Sequence, residues 1–459
     1  MYSPTQPTDR TNSRTVPRAI APIADAGTTR SGRVLQLIFP AFLAFSKWTV
    51  ITLLVVLAAL LVLISLRWGP MHIAVAGLLA VIWLGLLVLL VLGMSRFHSG
   101  RVVLATTIGF LVLSPVTVVI SQLSAYTPPI VDAQGNPVPG SIATLEQVEI
   151  NGTRQWISIR ATSTDKPVLL WLAGGPGGSQ VSTVRWHLGT LEEHFVVVNW
   201  EQPGGGKSYH AVNHAELTPE RYITDGIQLV NYLRQRFGEE KVYLIGESWG
   251  SALGVWMVQR HPELFHTFVG TGQMVDFIET DVFDYHFAMN LARSRGDTAK
   301  LDKLNAQGPP PYSGDSVLWK QSVYLLDGFA YMNSDPNISA NGFNTFRDLL
   351  SPEYGLYDKL NWARGVLDAG NVMFPQLWKA DVDFRQDAPV LNVPVYFLIG
   401  RHDVNAPPAL AEEYYRILDA PHKAWVWFEH SGHNPWVTES DRFVDVVVNQ
   451  VLAETQQVR

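Results

Sequence analysis

Three apolar runs fill most of residues 49–123, and they constrain the fold more than any other feature. Thr49–Leu66 is 18 residues without a charge, flanked by Lys47-Trp48 and Arg67-Trp68. His72–Met94 is followed by Arg96, and Val102–Leu123 begins after Arg101. At about 1.5 Å rise per residue, each run reaches or nearly reaches across a hydrocarbon core of about 30 Å. Flanking Trp and Arg suit the two interfaces. Pro115 inside the third run is tolerable in a membrane helix whose neighbours satisfy the freed carbonyl. A buried helical hairpin in a soluble core is the alternative, but runs with almost no amphipathic pattern argue against it. A cleaved leader would leave the other runs unexplained. Three transmembrane helices are therefore expected, at about 49–66, 72–94 and 102–123, in a membrane region spanning 33–123. Val34–Phe45 is apolar but short and holds Gln36 and Pro40, so it reads as an interfacial segment. Residues 1–32, rich in Ser, Thr, Pro and Arg, read as a disordered tail.

Charge divides the chain at the same place. The net charge of −7 is the sum of +7 over residues 1–123 and −14 over residues 124–459. An acidic larger region argues against nucleic acid as a partner, since phosphate binding needs clustered Lys and Arg. The basic residues before and between the runs set an orientation. Arg10, Arg14, Arg18, Arg30, Arg33, Lys47, Arg96 and Arg101 fall on one side, and only Arg67 falls on the other. An excess of Lys and Arg marks the cytoplasmic side. This expectation makes the protein integral to the plasma membrane, its N-terminus cytoplasmic, everything after residue 124 extracytoplasmic, and the lipid bilayer a partner. The chain has no Cys, which removes disulfides, thiolate chemistry and Cys-based metal sites.

Pro128, Pro129, Gly135, Pro137 and Gly140 mark residues 124–141 as a linker. Beyond it, short apolar runs alternate with helical patterns. Strands are predicted at Glu146–Ile150, Gln155–Arg160, Val168–Ala173, Phe195–Trp200, Val242–Gly246, Thr267–Thr271, Val395–Gly400 and Ala424–Phe428. Helices are predicted at Pro219–Arg236, Ser251–His261, Ala409–Leu418 and Ser440–Ala453. Such alternation signals an α/β domain, here 142–459, with a mostly parallel sheet covered on both faces. Between about 273 and 388 the alternation gives way to helical and loop-rich sequence, expected to form a cap over the carboxyl ends of the strands.

The chemistry centres on Gly246-Glu247-Ser248-Trp249-Gly250. This G-x-S-x-G pattern follows a predicted strand and opens a predicted helix, the context in which a strained turn lifts a serine above a sheet. A serine hydroxyl needs a base, and the base needs an orienting carboxylate. Asp403 follows the strand Val395–Gly400, and His433 follows the last strand, giving the chain order Ser, Asp, His. Ser248, Asp403 and His433 are thus the expected catalytic residues, with His402 and His430 as the competing bases. Gly174 or Gly175, in Leu172-Ala173-Gly174-Gly175-Pro176-Gly177-Gly178, would offer a backbone N–H beside that of Trp249 to hold an oxyanion. A phosphate-binding loop is the alternative, but the stretch lacks the Gly-Lys-Ser/Thr ending.

Together these residues resemble the proline iminopeptidase-like α/β hydrolases. Ala173-Gly174-Gly175-Pro176-Gly177 is similar to that family's His-Gly-Gly-Pro-Gly. Glu201-Gln202-Pro203-Gly204-Gly205-Gly206-Lys207-Ser208 is similar to its Asp-Gln-Arg-Gly-x-Gly-x-Ser. Gly246–Ser251, Gly400–Asp403 and Ser431–His433 match its elbow, acid and base segments. Ala173 and Pro203 depart from the pattern, and the departures bear on substrate. The resemblance implies an α/β-hydrolase fold with a helical cap, no metal or organic cofactor, and a small-molecule or short-peptide substrate. It implies a proline iminopeptidase-like aminopeptidase working through a Ser acyl-enzyme. A carboxylesterase or lipase is the alternative, and a non-catalytic membrane sensor with a hydrolase-like domain is another. An iminopeptidase must hold a cationic N-terminus, so the implied substrate contacts are Glu201, Gln202, Gln273, Asp276 and Glu279. Asp281 and Asp284 open the same insertion and are candidates to hold that cation as well. The alternative for these acids is a solvated helix face.

Overall fold

The computed structural model describes residues 70–96, 99–314, 317–338 and 345–456. The chain divides into two units, Met1–Leu60 and Leu61–Arg459, and every described residue belongs to the second. The tail 1–32, the segment Val34–Phe45 and the first apolar run Thr49–Leu66 lie outside the described residues.

The other two apolar runs are helices, α1 at Pro70–Ser95 and α2 at Gly100–Leu123, each long and apolar enough to cross a membrane. They pack on each other through Trp83 and Phe110, whose ring centroids are 5.1 Å apart. The Trp83 indole N–H donates to Thr117 Oγ1 at 3.1 Å, so the polar atom facing the seam is satisfied within the pair. Their outer faces are apolar and bare: Leu78 is 63 % exposed, Val81 68 % and Leu111 70 %. In water each such side chain would forgo about 1.5–3 kcal/mol of burial.

Residues 124–128, the start of the expected linker, are tied to the rest of the unit. The Tyr126 N–H donates to Pro352 O at 3.0 Å. The Arg160 guanidinium donates to Thr127 Oγ1 at 2.8 Å and to Pro128 O.

The eight predicted strands all form. They are β1 (Ile142–Ile150), β2 (Thr153–Ala161), β3 (Val168–Leu172), β4 (Val196–Glu201), β5 (Val242–Glu247), β6 (Phe265–Thr271), β7 (Val395–Gly400) and β8 (Lys423–Phe428). They make one sheet in the order β1-β2-β4-β3-β5-β6-β7-β8. β1 and β2 pair antiparallel, β2 pairs antiparallel with β4, and every other pair is parallel. The Val- and Ile-rich β3, β4, β5 and β7 are buried along their whole length, as central parallel strands must be. Alternate residues feed two cores: Leu170, Val198 and Leu244 on one face, Leu169, Val197 and Tyr243 on the other.

Helices α3 (Pro219–Phe237) and α4 (Trp249–Arg260) join the middle strands. Helix α3 shows both end signals in sequence: the Thr218 hydroxyl accepts the Arg221 N–H, and Gly238 closes it at φ 71°. The insertion between β6 and β7 is helical, as expected. Its main pieces are α5 (Phe277–Arg295), α6 (Thr298–Gln307), α7 (Val317–Ser334) and α8 (Leu356–Lys379). Helix α9 (Pro408–Ile417) follows β7, and the C-terminal helix begins as α10 (Ser440–Val446).

Candidate active site

The turn after β5 places Ser248 at φ 53° and ψ −120°, a conformation that costs a non-glycine residue about 1–3 kcal/mol. Its neighbours make the turn possible. A Cβ on Gly246 would overlap Gly250 O, and a Cβ on Gly250 would overlap Leu172 O, so the chain passes itself too closely for any other residue. The turn is braced from three sides. The Ser248 N–H donates to Thr271 O at 3.0 Å, and the Ser251 hydroxyl donates to Ser248 O at 2.6 Å. The same hydroxyl oxygen accepts the Met274 N–H at 3.0 Å.

His433 and Asp403 meet beyond the ends of β8 and β7. His433 Nδ1 lies 2.9 Å from Asp403 Oδ2, with both residues buried. Asp403 Oδ1 accepts the N–H groups of Asn405 and Ala406 at 2.8 and 2.9 Å, which fixes the carboxylate as acceptor and the Nδ1–H as donor. Nε2 then carries the lone pair and lies 3.1 Å from the Asn405 side-chain nitrogen. Burial by itself would lower the His433 pKa. The Asp403 charge and hydrogen bond, aided by Glu247, carry it above the ordinary value. The competing histidines point elsewhere: His402 Nε2 faces Glu429 O at 3.1 Å, and His430 Nδ1 faces Asn337 O at 3.1 Å.

Ser248 and His433 open on one cavity of about 370 Å³. Gly174, Gly175 and Trp249 line it beside them. Trp249 is the first residue of α4, so its N–H is one of those left without an intrahelical acceptor. The Glu247 carboxylate lies against Gly174, where an added Cβ would overlap it.

Glu247 and Asn405 are the site residues that sequence reasoning passed over. Glu247 occupies a position the G-x-S-x-G pattern leaves free, yet it is buried and lines the cavity. Burial raises its pKa, opposed by the His433 charge, the Gln180 amide at 2.8 Å and the Gly174 N–H. Asn405 stands two residues beyond Asp403, a spacing that could have marked it as part of the same loop.

The five residues expected to meet substrate do not line this cavity. Gln202 is a strut: it donates to Ala173 O at 2.9 Å and accepts the Trp249 indole N–H at 3.0 Å. Glu201 accepts the Lys207 N–H at 2.8 Å and the Ser179 hydroxyl, and burial raises its pKa. Gln273 donates to Met274 O at 2.7 Å. Asp276 caps α5 by accepting the Glu279 N–H, and both carboxylates pair with Arg385 on the outside, at 3.1 and 2.6 Å.

Helix phase explains the difference. Phe277, Thr280, Asp281 and Asp284 repeat at the spacing of one helix face, and all four line the cavity. Asp281 accepts from Gln321 at 2.9 Å, Tyr324 at 3.1 Å and Trp378 at 2.9 Å. Its pKa is pushed up to about 7 by burial, against the pull of those three donors. Burial raises the Asp284 carboxyl well above the carboxylate range, with Asp281 and Asp403 adding to the effect. Asp284 Oδ1 and Gln321 Oε1, both buried, have no hydrogen-bond partner among the described residues. Native structures rarely leave buried acceptors so. The remaining wall is largely apolar, with Leu318, Phe329, Val366 and Phe374 among its residues.

Residues 167–440 match the family described as the alpha/beta hydrolase fold. The chain is 30% identical over 314 residues to a probable aminopeptidase, YbaC, of Bacillus subtilis (strain 168), covering 68% of this chain and 97% of the relative. It is 22% identical over 288 residues to a proline iminopeptidase of Clostridium botulinum, covering 62% of this chain and 89% of the relative. Among solved structures, the proline iminopeptidase of Mycobacterium smegmatis aligns at a TM-score of 0.49 and 16% identity, over 69% of this chain and all of that one. A family match over more than half the chain and a relative aligned over nearly its whole length agree with the elbow and the sheet order, and the chain belongs to the alpha/beta hydrolase family.

Proposed function

We propose that the protein is a serine aminopeptidase that releases an N-terminal residue from a short peptide. The reading is carried by Asp281 and Asp284, two buried carboxyl groups on the cavity that also holds Ser248 and His433. A buried acid with an unpartnered oxygen costs stability and is best matched by a cation. A peptide's α-ammonium supplies the charge and donors that Asp284 Oδ1 and Gln321 Oε1 lack. The apolar wall suits an uncharged first side chain.

In this reading the Ser248 hydroxyl attacks the first peptide carbonyl while its proton passes to His433 Nε2. Asp403, bonded to Nδ1, stabilises the imidazolium. The N–H groups of Gly175 and Trp249 hold the oxyanion. His433 then gives the proton to the leaving amine, and water repeats the sequence on the acyl-enzyme to free the amino acid and restore the serine. The route draws on side chains and backbone alone.

The two apolar helices belong to this proposal as a bilayer anchor. The Lys and Arg bias, with Arg96 and Arg101 between the two helices, puts their connection in the cytoplasm and the hydrolase domain outside the plasma membrane. The bare outer faces of α1 and α2 support it.

The test is hydrolysis of leucine and proline p-nitroanilides set against their N-acetylated forms and short p-nitrophenyl esters. Turnover confined to free amines supports the aminopeptidase. Turnover of esters alone sinks it in favour of a carboxylesterase, the second reading that the apolar wall allows. No labelling of Ser248 by a fluorophosphonate sinks both.

A further inference from the structure

Helix α8 forms one wall of the cavity through Trp362, Ala363, Val366 and Phe374. Its N-cap residue is Gly355, which has no side chain to accept the first amide groups of the helix. Those groups are instead accepted from the far end of α2. The Leu356 N–H donates to Ser121 Oγ at 2.7 Å, and the Tyr357 N–H donates to Gln122 Oε1 at 3.1 Å. Gln122 Nε2 in turn donates to Asp358 Oδ1 at 2.7 Å. A Cβ on Gly355 would overlap both the side chain and the backbone of Gln122, so the close approach requires glycine.

The contact continues inward. Asp358 Oδ2 forms a buried ion pair with Lys207 Nζ at 2.6 Å. The Lys207 backbone N–H donates to Glu201, which also accepts the Ser179 hydroxyl next to the Gly-rich loop. The Trp362 indole N–H donates to Ser179 O at 3.0 Å. The last turn of α2 is thus joined by consecutive polar contacts to the loop that carries Gly174 and Gly175.

We propose that Gln122 and Ser121, at the end of the second apolar helix, are positioning residues that cap α8 and set the substrate-facing wall of the active site. The inference rests on the hydrolase reading of Ser248, and not on which bond is cleaved. An ordinary N-cap residue acts within its own turn. Here the cap comes from a segment 235 residues earlier, so α8 keeps its orientation only while the end of α2 is docked. Removing Gln122 frees the amide of Tyr357 and leaves Asp358 with fewer partners, and the consequence falls on substrate fit more than on the reacting groups, which sit on other elements.

The experiment uses the full chain in detergent micelles. Gln122→Ala and, as a milder change, Ser121→Ala are compared with wild type using the best substrate of the p-nitroanilide and ester panel. Active serines are counted by fluorophosphonate labelling. The expected result is a KM raised about fivefold in Gln122→Ala, with kcat per labelled serine within about twofold. Ser121→Ala follows in the same direction, and amide exchange quickens at Leu356–Asp358. Unchanged KM and exchange in Gln122→Ala overturn the proposal, as does a fall in kcat per labelled serine at constant KM. If Gln122→Ala does not accumulate folded, the same criteria are applied to Ser121→Ala. Wild-type protein that labels but cleaves only esters removes the aminopeptidase and leaves this inference to be read on the ester.

Discussion

Glu247 Oε1 lies 3.6 Å from His433 Nε2, on the side of the imidazole away from Asp403. The base is therefore set between two carboxyl groups, and both favour its protonated form. Neutralising Glu247 withdraws one of them. In Glu247→Gln the acid limb of the kcat/KM profile is expected to move to lower pH, because the imidazole loses its proton sooner. The same change alters the packing of residue 247 against Gly174 and its bond with Gln180, so kcat falls as well. A pH–rate profile measures both effects, and an acid limb that moves to higher pH contradicts the arrangement.

Substrate binding should depend on pH through Asp281, whose carboxyl titrates at about 7 in the free protein. Below that pH it is protonated and offers no charge to an ammonium. Above about pH 8 an α-amino group loses its own proton. The KM of a free-amine substrate is expected to pass through a minimum between the two, while the Ki of its N-acetylated counterpart, tested as a competitive inhibitor, stays flat. Steady-state kinetics from pH 5 to 9 decides it.

Asp284→Asn separates function from stability. The native carboxyl has its pKa raised by burial, so its protonated form favours the fold below the unfolded value of about 3.9, and this advantage is lost as pH rises toward the folded value. An amide cannot ionise and avoids that loss. The variant is expected to melt about 2 °C higher than wild type at pH 8 and to show a smaller gain at pH 5. Its KM for free-amine substrates should rise about tenfold, in keeping with a lost charge-assisted bond. Calorimetry and kinetics on one preparation check the two halves.

Ser248→Ala and His433→Ala are each expected to lower kcat by about six orders of magnitude, and Asp403→Asn by about four. Combining the first two should cost little more than either alone, since the groups act as a unit. Fluorophosphonate labelling should vanish in Ser248→Ala. Label that persists there would place the nucleophile elsewhere.

What could be read from the sequence depends on how local each signal is. The elbow was legible because Gly246 and Gly250 are demanded by atoms a few residues away or on the adjoining strand. All eight strands were legible because their Val and Ile runs are short and bounded by turns. Asp403 and His433 were singled out by their places after β7 and β8, and their side chains lie within hydrogen-bond distance. Helix phase was not resolved: Asp276 and Glu279 were favoured over Asp281 and Asp284, though only the second pair turns inward. Choosing between them requires knowing which face of α5 packs on the domain. Glu247 escaped because the motif is defined by its other positions. The bonds from Ser121 and Gln122 to residues 356–358 have no local signature, since nothing in either segment names the other.

The glycine at 355 bears on how this protein can be divided. Polarity suggests cutting between the hydrophobic hairpin and the enzyme, anywhere in residues 124–141, to obtain a convenient soluble fragment. Such a fragment would carry a helix whose leading amides had been stripped of their acceptors, at a residue that cannot supply replacements. The working boundary of the hydrolase lies inside the greasy segment, and a truncation that respects it must keep α2.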